Sequence, residues 1–237
     1  MNHFQIAILA AGLGTRLGLP SPKPLTPLAD GRSILRHQLD SLRAAFSVPV
    51  VVVVGYKPDQ VMAACPDVLF AYNENYDRTN TAKSLLKAMR GSGSGGMLWL
   101  NGDVVFDPRL VEAIRPMIES DQTFVCVNTA AVGEEEVKYL VDAAGCVTEL
   151  SKSVVGGLGE AVGINYVAAP DKATLIEHLE RCTDTDYFER GIESAIAEAG
   201  LRVRVVDISD FFAVEVDDTG DLERANAEVS RSVTPAA

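Results

Sequence analysis

Short runs of apolar, largely β-branched residues alternate with amphipathic segments through the first half of the 237-residue chain. Apolar residues at 34–45 recur at helical spacing, and Ser33 stands where a helix N-cap is expected. Residues 50–54 form a continuous run of valine, which is typical of a strand buried on both faces. The alternation predicts an α/β fold with a doubly wound, mostly parallel sheet.

The pattern of the sequence differs before and after residue 130. Before it, the predicted strands are residues 5–9, 50–54, 68–72, 97–101 and 123–128, and the predicted helices are 34–45, 59–64, 81–89 and 108–120. After it, we predict a hairpin (137–141 and 146–150) and a strand (161–168), followed by helices at 170–182 and 187–199. Short strands at 203–206 and 213–216 and a last helix from 219 to about 231 complete the prediction. We therefore predict one domain, residues 1–237, with a small β-rich elaboration that could form a lid.

Charge and composition exclude several classes of protein. The formal net charge is −12, which argues against broad electrostatic binding to nucleic acid or to an anionic membrane surface. The longest apolar run, residues 48–55, is far shorter than the ~18 residues of a membrane helix. The four cysteines are widely spaced and indicate neither a disulfide framework nor a zinc site. With no basic leader before the first strand, we predict a soluble, cytoplasmic protein.

The first predicted strand leads directly into a glycine-rich segment, residues 10–18 (AAGLGTRLG). Small residues in this position let backbone N–H groups approach a phosphate closely. Two familiar phosphate-binding motifs do not fit. The dinucleotide motif GxGxxG would need glycine where Leu17 stands, and the Walker motif would need a Gly-Lys-Ser/Thr sequence that is missing here.

Two basic residues accompany the glycine-rich segment. Lys23 lies between Pro22 and Pro24, in a stiff stretch shortly after Arg16. Both cations could point at the same phosphates, which an acidic protein needs for an anionic substrate. The alternative is that Arg16 and Lys23 are solvated loop residues.

Acidic residues follow two predicted strands. Asp103 comes just after residues 97–101, at the carboxyl end of a parallel sheet, where α/β proteins bind ligands. Glu215 and Asp217 are two positions apart and share one strand face. Hard oxygen ligands of this kind suit Mg²⁺. Alternatively, Asp103 only caps the helix that follows, and Glu215 and Asp217 only begin the last helix.

The motifs taken together resemble a family. LAAGLGTRLG followed by PKPL resembles the signature of nucleotidyltransferases that make nucleotide-diphospho sugars and related compounds, and the resemblance continues through residues 33–35, 54–56, 101–103 and 214–217. Residues 73–76 and 79–85 are similar to cytidylyltransferases with small acceptors: phosphocholine, phosphonates such as 2-aminoethylphosphonate, or inositol phosphate. The resemblance implies a Rossmann-like nucleotidyltransferase fold, with a nucleotide-binding half at about 1–130 and an acceptor, lid and metal half at about 131–228.

The resemblance also implies the reaction and its machinery. An acceptor oxygen would attack the α-phosphorus of a nucleoside triphosphate and release pyrophosphate. The family's metal aspartates fall on Asp103 and Asp217, with Glu215 beside them, and its cations fall on Arg16 and Lys23. Asp218 adds a second acid next to Asp217, so the sequence leaves open which of these two is the ligand.

The remaining implied residues divide between the two substrates. Lys152 matches the family lysine that reaches the acceptor or the α-phosphate, and Glu160 and Asn165 belong to a segment that resembles the one closing over the acceptor. The implied nucleotide-binding residues are Ala10, Ala11, Gly12, Gly14, Gly55, Tyr56, Asn80 and Ser84. Asp186 and Tyr187 combine an acid with an aromatic ring, which suits a cationic amine acceptor but equally suits a capped amphipathic helix.

Three functions follow from these observations. The leading hypothesis is an Mg²⁺-dependent cytidylyltransferase that joins CTP to a small phosphate or phosphonate. One alternative is a sugar-1-phosphate nucleotidyltransferase that uses UTP, dTTP or GTP. Another is a non-catalytic nucleotide-binding regulator, which would need the glycine-rich segment but not the full set of acids. The segments after residue 130 could also form a homodimer contact.

Overall fold

A computed structural model describes residues 4–14, 17–18, 20–130 and 136–233 of the chain. The strands are β1 (Phe4–Ala10), β2 (Val50–Val54), β3 (Leu69–Tyr72), β4 (Gly96–Asn101), β5 (Val104–Phe106), β6 (Phe124–Asn128), β7 (Lys138–Val141), β8 (Val147–Ser151), β9 (Glu160–Val167), β10 (Arg204–Asp207) and β11 (Ala213–Glu215). The α-helices are α1 (Ile34–Ala45), α2 (Pro58–Ala64), α3 (Thr81–Arg90), α4 (Arg109–Glu119), α5 (Lys172–Arg181), α6 (Phe188–Ala199) and α7 (Thr219–Val233).

The central sheet has the strand order β10-β6-β9-β4-β1-β2-β3. β1 is parallel to β2 and β4, β2 is parallel to β3, and β6 is parallel to β10. β9 runs antiparallel to both of its neighbours, β4 and β6, and the β7–β8 hairpin attaches at its start. The predicted α/β fold with a mostly parallel sheet is confirmed.

Helices cover both faces of this sheet because successive side chains of its inner strands point in opposite directions. Ile6 and Ile8 of β1 pack in one cluster with side chains of α1 and α4, including Leu39 and Ile114. The alternate residue Ala7 belongs to a second cluster, with side chains of α3, α5 and α6. Since both faces are buried, the apolar runs of the inner strands are continuous.

The predicted elements are present, with ends that shift by at most two residues. One strand was not predicted: β5 is only three residues long and follows β4 almost at once. It pairs antiparallel with β11 in a separate two-stranded sheet. Within the described ranges, no helix has both the length and the apolar character that crossing a membrane requires.

Candidate active site

A cleft of about 480 Å³ opens at the carboxyl ends of β1 and β4. This is the edge at which parallel α/β sheets bind ligands. Ten of the residues predicted from the sequence line it: Ala10, Gly12, Gly14, Lys23, Asn80, Asp103, Lys152, Tyr187, Glu215 and Asp217. The cleft therefore brings together the glycine-rich segment, the acids and the two lysines.

Gly14 lets the glycine-rich segment rest directly on Lys23. Its backbone has a φ of +60°, and a Cβ atom there would lie 2.7 Å from the Cβ of Lys23. Lys23 begins a 3₁₀ turn, Lys23–Leu25, that follows Pro22, and the residue is only 9% exposed. The proline-flanked lysine is thus a packed part of the cleft rather than a solvated loop residue.

The β5–β11 ladder brings the acids together. Val104 of β5 is in register with Glu215 of β11, and the backbone N–H of Val216 donates to the carbonyl oxygen of Asp103 at 3.0 Å. Carboxylate oxygens of Asp103, Glu215 and Asp217 consequently lie within 4.8 Å of one another. The strand that was not predicted is therefore the element that builds the acidic cluster.

Lys23 joins two members of this cluster. Its Nζ donates to Oδ2 of Asp103 at 2.7 Å and to Oδ1 of Asp217 at 2.5 Å. Burial by itself lowers the pKa of Lys23, but the charges and hydrogen bonds of the two carboxylates outweigh burial and raise it. Lys23 is therefore a permanent cation that offsets part of the acidic charge.

The cluster also fits a divalent cation. Burial, followed by the nearby charges of Asp103 and Asp217, raises the pKa of Glu215 well above its ordinary value. Oδ1 of Asp103 is buried and has no hydrogen-bond partner among the residues that the structure describes. Three hard oxygen donors, one of them unsatisfied, match the ligands that Mg²⁺ prefers.

The structure distinguishes Asp217 from its neighbour Asp218. Asp217 faces Lys23 in the cluster. Oδ1 of Asp218 instead accepts the backbone N–H groups of Gly220 and Asp221, at 2.7 and 3.0 Å, at the start of α7. Asp218 therefore caps the last helix, a role that the sequence had left open for Glu215 and Asp217.

Helix α1 supports the turn that carries Asp103. The amide nitrogen of Gln38 donates to the carbonyl oxygens of Asn101 and Val104, both at 2.8 Å. Nε2 of His37 lies 2.8 Å from the carbonyl oxygen of Phe106 and donates to it. The two buried side chains satisfy backbone groups on either side of Asp103, which fixes its position.

The other end of the cleft is formed by Lys152, Tyr187 and Glu189. Nζ of Lys152 lies 5.4 Å from the centroid of the Tyr187 ring. Glu189, in the first turn of α6, is 8% exposed, and its Oε2 atom has no partner in the described part of the chain. Burial raises the pKa of Glu189 to about 7, although a hydrogen bond from its own backbone N–H and the positive charge of Lys152 partly oppose the shift.

Glu189 was not predicted from the sequence. An acid in the first turn of a helix usually stabilises the helix dipole from the surface. The available signal was its position on the apolar stripe of α6, next to the buried residues Phe188 and Ile192. Asn101 and Tyr76, from segments that carry the family resemblance, also line the cleft, as do Asp77 and Glu136, and none of the four was predicted individually as a site residue.

Asn80 connects the two sides of the cleft. Its Oδ1 accepts the backbone N–H of Thr81 at 2.8 Å and so caps α3. Its backbone N–H donates to the carbonyl oxygen of Asp184 at 2.8 Å, which ties the start of α3 to the loop before α6. Asn80 therefore helps to position Tyr187 as well as lining the cleft.

Several predicted nucleotide-binding residues lie behind the cleft wall. The carbonyl oxygen of Ala11 accepts the backbone N–H of Tyr56 at 3.0 Å, and Gly55 lies directly against Tyr76. Ser84 is buried, and its Oγ accepts a hydrogen bond from the Asn73 amide at 3.1 Å. Ala11, Gly55, Tyr56 and Ser84 thus support the wall without lining it.

Three predicted acceptor-binding residues do not line the cleft either. Glu160 starts β9 opposite Lys138, and Asn165 is 2% exposed and in register with Trp99. Oδ2 of Asp186 accepts the backbone N–H of Thr183 at 2.7 Å, which holds it on the loop before α6.

Two of the predictions fall wholly or partly outside the described ranges. Arg16 lies outside them. So do residues 131–135, at the start of the predicted elaboration.

Residues 6–202 match the family model described as the MobA-like NTP transferase domain. The chain belongs to this nucleotidyltransferase family. Among curated proteins, it is 31% identical over 251 aligned residues to CMP-5'-(3-aminopropyl)phosphonate synthase of Streptomyces rubellomurinus (strain ATCC 31215), covering 95% of this chain. The chain spans only 39% of that relative's length. A shorter stretch of 73 residues, 30% of the chain and 16% of the relative, is 48% identical to the bifunctional protein GlmU of Burkholderia mallei (strain SAVP1).

Two solved structures of other proteins share the fold of this chain. The CTP:phosphocholine cytidylyltransferase LicC of Streptococcus pneumoniae superposes with a TM-score of 0.78 at 18% identity, covering 97% of this chain and 100% of that one. The inositol-1-phosphate CTP transferase of T. maritima gives a TM-score of 0.77 at 18% identity, covering 97% of each chain.

Proposed function

We propose that this nucleotidyltransferase is an Mg²⁺-dependent cytidylyltransferase that joins CTP to a small phosphate or phosphonate and releases pyrophosphate. The observation that carries the proposal is the cluster of Asp103, Glu215 and Asp217 beside Lys23, in the cleft lined by Gly12 and Gly14. The name of the phosphonate-activating relative and those of the two cytidylyltransferase structures support CTP and a small acceptor.

The proposed reaction is a single in-line displacement. An ionised oxygen of the acceptor forms a bond to the α-phosphorus of CTP, and the bond from that phosphorus to the bridging oxygen of the β-phosphate breaks. Pyrophosphate leaves with the electron pair. Because the attacking oxygen is already ionised, no general base is needed, and the protein contributes positioning and charge neutralisation.

The residues of the cleft divide this work. Gly12 and Gly14 allow the triphosphate to approach the backbone, and Lys23 and Lys152, which both line the cleft, supply positive charge. Arg16 remains a predicted third cation. Asp103, Glu215 and Asp217 would hold Mg²⁺, which when bound neutralises phosphate charge and polarises the phosphorus centre. Lys23 also keeps Asp103 and Asp217 close together despite their like charges.

A sugar-1-phosphate nucleotidyltransferase is the second candidate. A solved structure described as a putative glucose-1-phosphate thymidylyltransferase from Bacillus anthracis, with a TM-score of 0.77 at 17% identity, favours it. The curated protein CMP-5'-(3-aminopropyl)phosphonate synthase is more similar in sequence, at 31% identity with 95% of this chain covered, so we rank the small acceptor first. A non-catalytic regulator is disfavoured because the cleft contains the acids and Lys23 in addition to the glycine-rich segment.

The test is pyrophosphate release in the presence of Mg²⁺. CTP, UTP, GTP, ATP and dTTP would each be combined with phosphocholine, 2-aminoethylphosphonate, ethylphosphonate, inositol phosphate and hexose-1-phosphates. Release with CTP and a small acceptor is the expected result. Release confined to UTP, dTTP or GTP with a hexose-1-phosphate would replace the proposal by the sugar branch. Nucleotide binding without product in any combination would favour the regulator. The homodimer stays a prediction.

A further inference from the structure

The carboxyl group of Glu189 is a buried acid that the proposed reaction does not use. It lines the cleft with Lys152 and Tyr187, and the charged groups that influence its pKa are Lys152 and Glu193 rather than the acids held by the β5–β11 ladder. Its Oε2 atom is buried and accepts no hydrogen bond from any described residue. A buried carboxylate that has one oxygen unsatisfied and no cation at ion-pair distance is costly, so its presence in a cleft needs an explanation.

The neighbouring residues do not satisfy Glu189. Lys152 is the nearby cation that influences its pKa, but the two do not form an ion pair within 4 Å in the described part of the molecule. Nζ of Lys152 is instead 5.4 Å from the Tyr187 ring centroid. The other nearby acid, Glu193, is engaged because its Oε1 accepts the backbone N–H of Leu150 at 3.1 Å.

A second hydrogen-bond acceptor in the same cleft is also unsatisfied. Oδ1 of Asn101 is buried and has no partner among the described residues, and Asn101 lines the cleft together with Glu189. Both atoms accept hydrogen bonds, and one of them can carry a full negative charge. A ligand that satisfies them must therefore donate N–H or O–H groups, and one that satisfies Glu189 in its ionised form should be a cation.

We propose that Glu189 binds the protonated amine of the acceptor, and that the preferred acceptors are small phosphates or phosphonates carrying an ammonium group with N–H bonds. This inference rests on the proposed function and assigns the acceptor class within it. An ammonium group would supply both the positive charge and the hydrogen bond that Oε2 lacks.

The same observations argue against a quaternary amine. A trimethylammonium group has no N–H to donate, and proteins bind it mainly within cages of aromatic rings. Among the described residues that line the cleft, the aromatic side chains are Tyr76 and Tyr187, and the ring of Tyr187 is already approached by Lys152. The cleft therefore offers a hydrogen-bonding carboxylate rather than an aromatic cage.

In this proposal Glu189, rather than Asp186 as the sequence had indicated, binds the cationic amine of the acceptor. Both acids lie at the start of α6, three positions apart, but Asp186 is held by the backbone N–H of Thr183 and lines a groove between α5 and α6. Glu189 faces the cleft instead. The amine-binding acid is thus predicted one helical turn further along the chain.

The first experiment compares a matched pair of acceptors, 2-aminoethylphosphonate and ethylphosphonate, which differ only in the amine. For the wild type with CTP, we expect kcat/KM to be about 100-fold higher with the amine-bearing acceptor, the size expected of a buried charged contact. Glu189→Gln should abolish this preference, so that its kcat/KM values for the two phosphonates agree within about threefold. Glu198→Gln, an exposed acid on the same helix, is the matched control and should retain the preference.

Three outcomes would overturn the inference while leaving the proposed function intact. They are equal use of the two phosphonates by the wild type, a preference that survives in Glu189→Gln, and phosphocholine used as efficiently as 2-aminoethylphosphonate. Absence of pyrophosphate release with every nucleotide and every acceptor would instead refute the proposed function itself.

A second measurement does not depend on turnover. Calorimetric titration of 2-aminoethylphosphonate, with α,β-methylene-CTP present to prevent transfer, would be repeated at about pH 7 in buffers of different ionisation enthalpy. Ion pairing with the ammonium group lowers the pKa of Glu189, so the wild type should release protons that Glu189→Gln does not release. Equal proton release by the two proteins would contradict the inference.

Discussion

Acidic side chains occur at both ends of the cleft, but their charges are balanced in different ways. At one end, Asp103 and Asp217 share the ammonium group of Lys23, so the chain itself supplies a counter-charge. At the other end, Glu189 is buried without a cation within 4 Å in the described ranges. We infer that the first end binds a cation and phosphates with every acceptor, whereas the second end selects which acceptor binds. Substitutions at the two ends should therefore have different signatures.

The largest effect is expected from Asp103→Asn, which keeps the shape of the side chain and removes its charge. We expect kcat to fall by at least about 1000-fold with every acceptor, because a metal ligand contributes several kcal/mol to the transition state. Pyrophosphate release measures the effect, and circular dichroism checks the fold. Asp210→Asn, at an exposed loop position, is the control. Mg²⁺-dependent activity within tenfold of the wild type would remove Asp103 from the metal site.

The next effect is that of Lys23→Met. Loss of one preorganised cation should lower kcat/KM by about 100-fold, or roughly 3 kcal/mol, equally for amine-bearing and amine-free acceptors. The exposed lysine Lys87, which pairs with Glu74, provides the control Lys87→Met. An unchanged rate would exclude Lys23 from the mechanism. A loss confined to amine-bearing acceptors would contradict the inference that only the end containing Glu189 distinguishes between acceptors.

A third prediction concerns stability and pH at Glu189. Its pKa is about 7 in the folded protein and near 4.5 when unperturbed. As pH rises between these values, the unfolded state ionises first, so the folded state becomes relatively less stable. Glu189→Gln should therefore gain stability relative to the wild type between about pH 5 and pH 8, by an amount approaching ~3 kcal/mol.

Urea denaturation of both proteins at the two pH values would measure this change. The measured quantity is the change, between the two pH values, in the difference between the unfolding free energies of the variant and the wild type. Any pH-independent effect of glutamine on the unfolding free energy therefore cancels. Glu198→Gln, at an exposed position of the same helix, is the control for the denaturation measurement. A difference for Glu189→Gln that does not change with pH would show that Glu189 ionises normally, and the contrast between the two ends would then be lost.

The smallest effect is expected from Asp218→Ala. This change removes the side chain that accepts the N–H groups of Gly220 and Asp221, and loss of a helix cap costs about 1 kcal/mol of unfolding free energy. Activity should stay within about threefold of the wild type, because Asp217 rather than Asp218 belongs to the acidic cluster. A loss of activity as large as that of Asp103→Asn would reverse the assignment of these neighbouring acids.

The fold could be predicted largely from the sequence because its signals are local. Helical spacing in α1 and the valine run of β2 each identify an element within a dozen residues. β5 escaped prediction because three residues are too few to show a period. Its pairing with β11 is a contact between distant parts of the chain, and local patterns carry no information about it.

The residues at the two ends of the cleft also differed in whether the sequence could predict them. Lys23, Asp103 and Asp217 could be predicted because Lys23 lies in the PKPL motif and the two acids follow predicted strands. Glu189 could not, because a glutamate in the first turn of an amphipathic helix is common, and only the packing of α6 shows that this one is buried. Asp186 has a similar local sequence context but faces a different groove.

The ladder between β5 and β11 has a consequence for the order in which the molecule becomes active. Lys23 and Asp217 are 194 positions apart, and the acids meet only after β11 has paired with β5. Contacts between such distant residues form late, because a long loop must first be closed. A newly synthesised chain can therefore complete most of its central sheet while still lacking the acidic cluster. Under the proposed function, the chain would become active only once β11 has paired with β5.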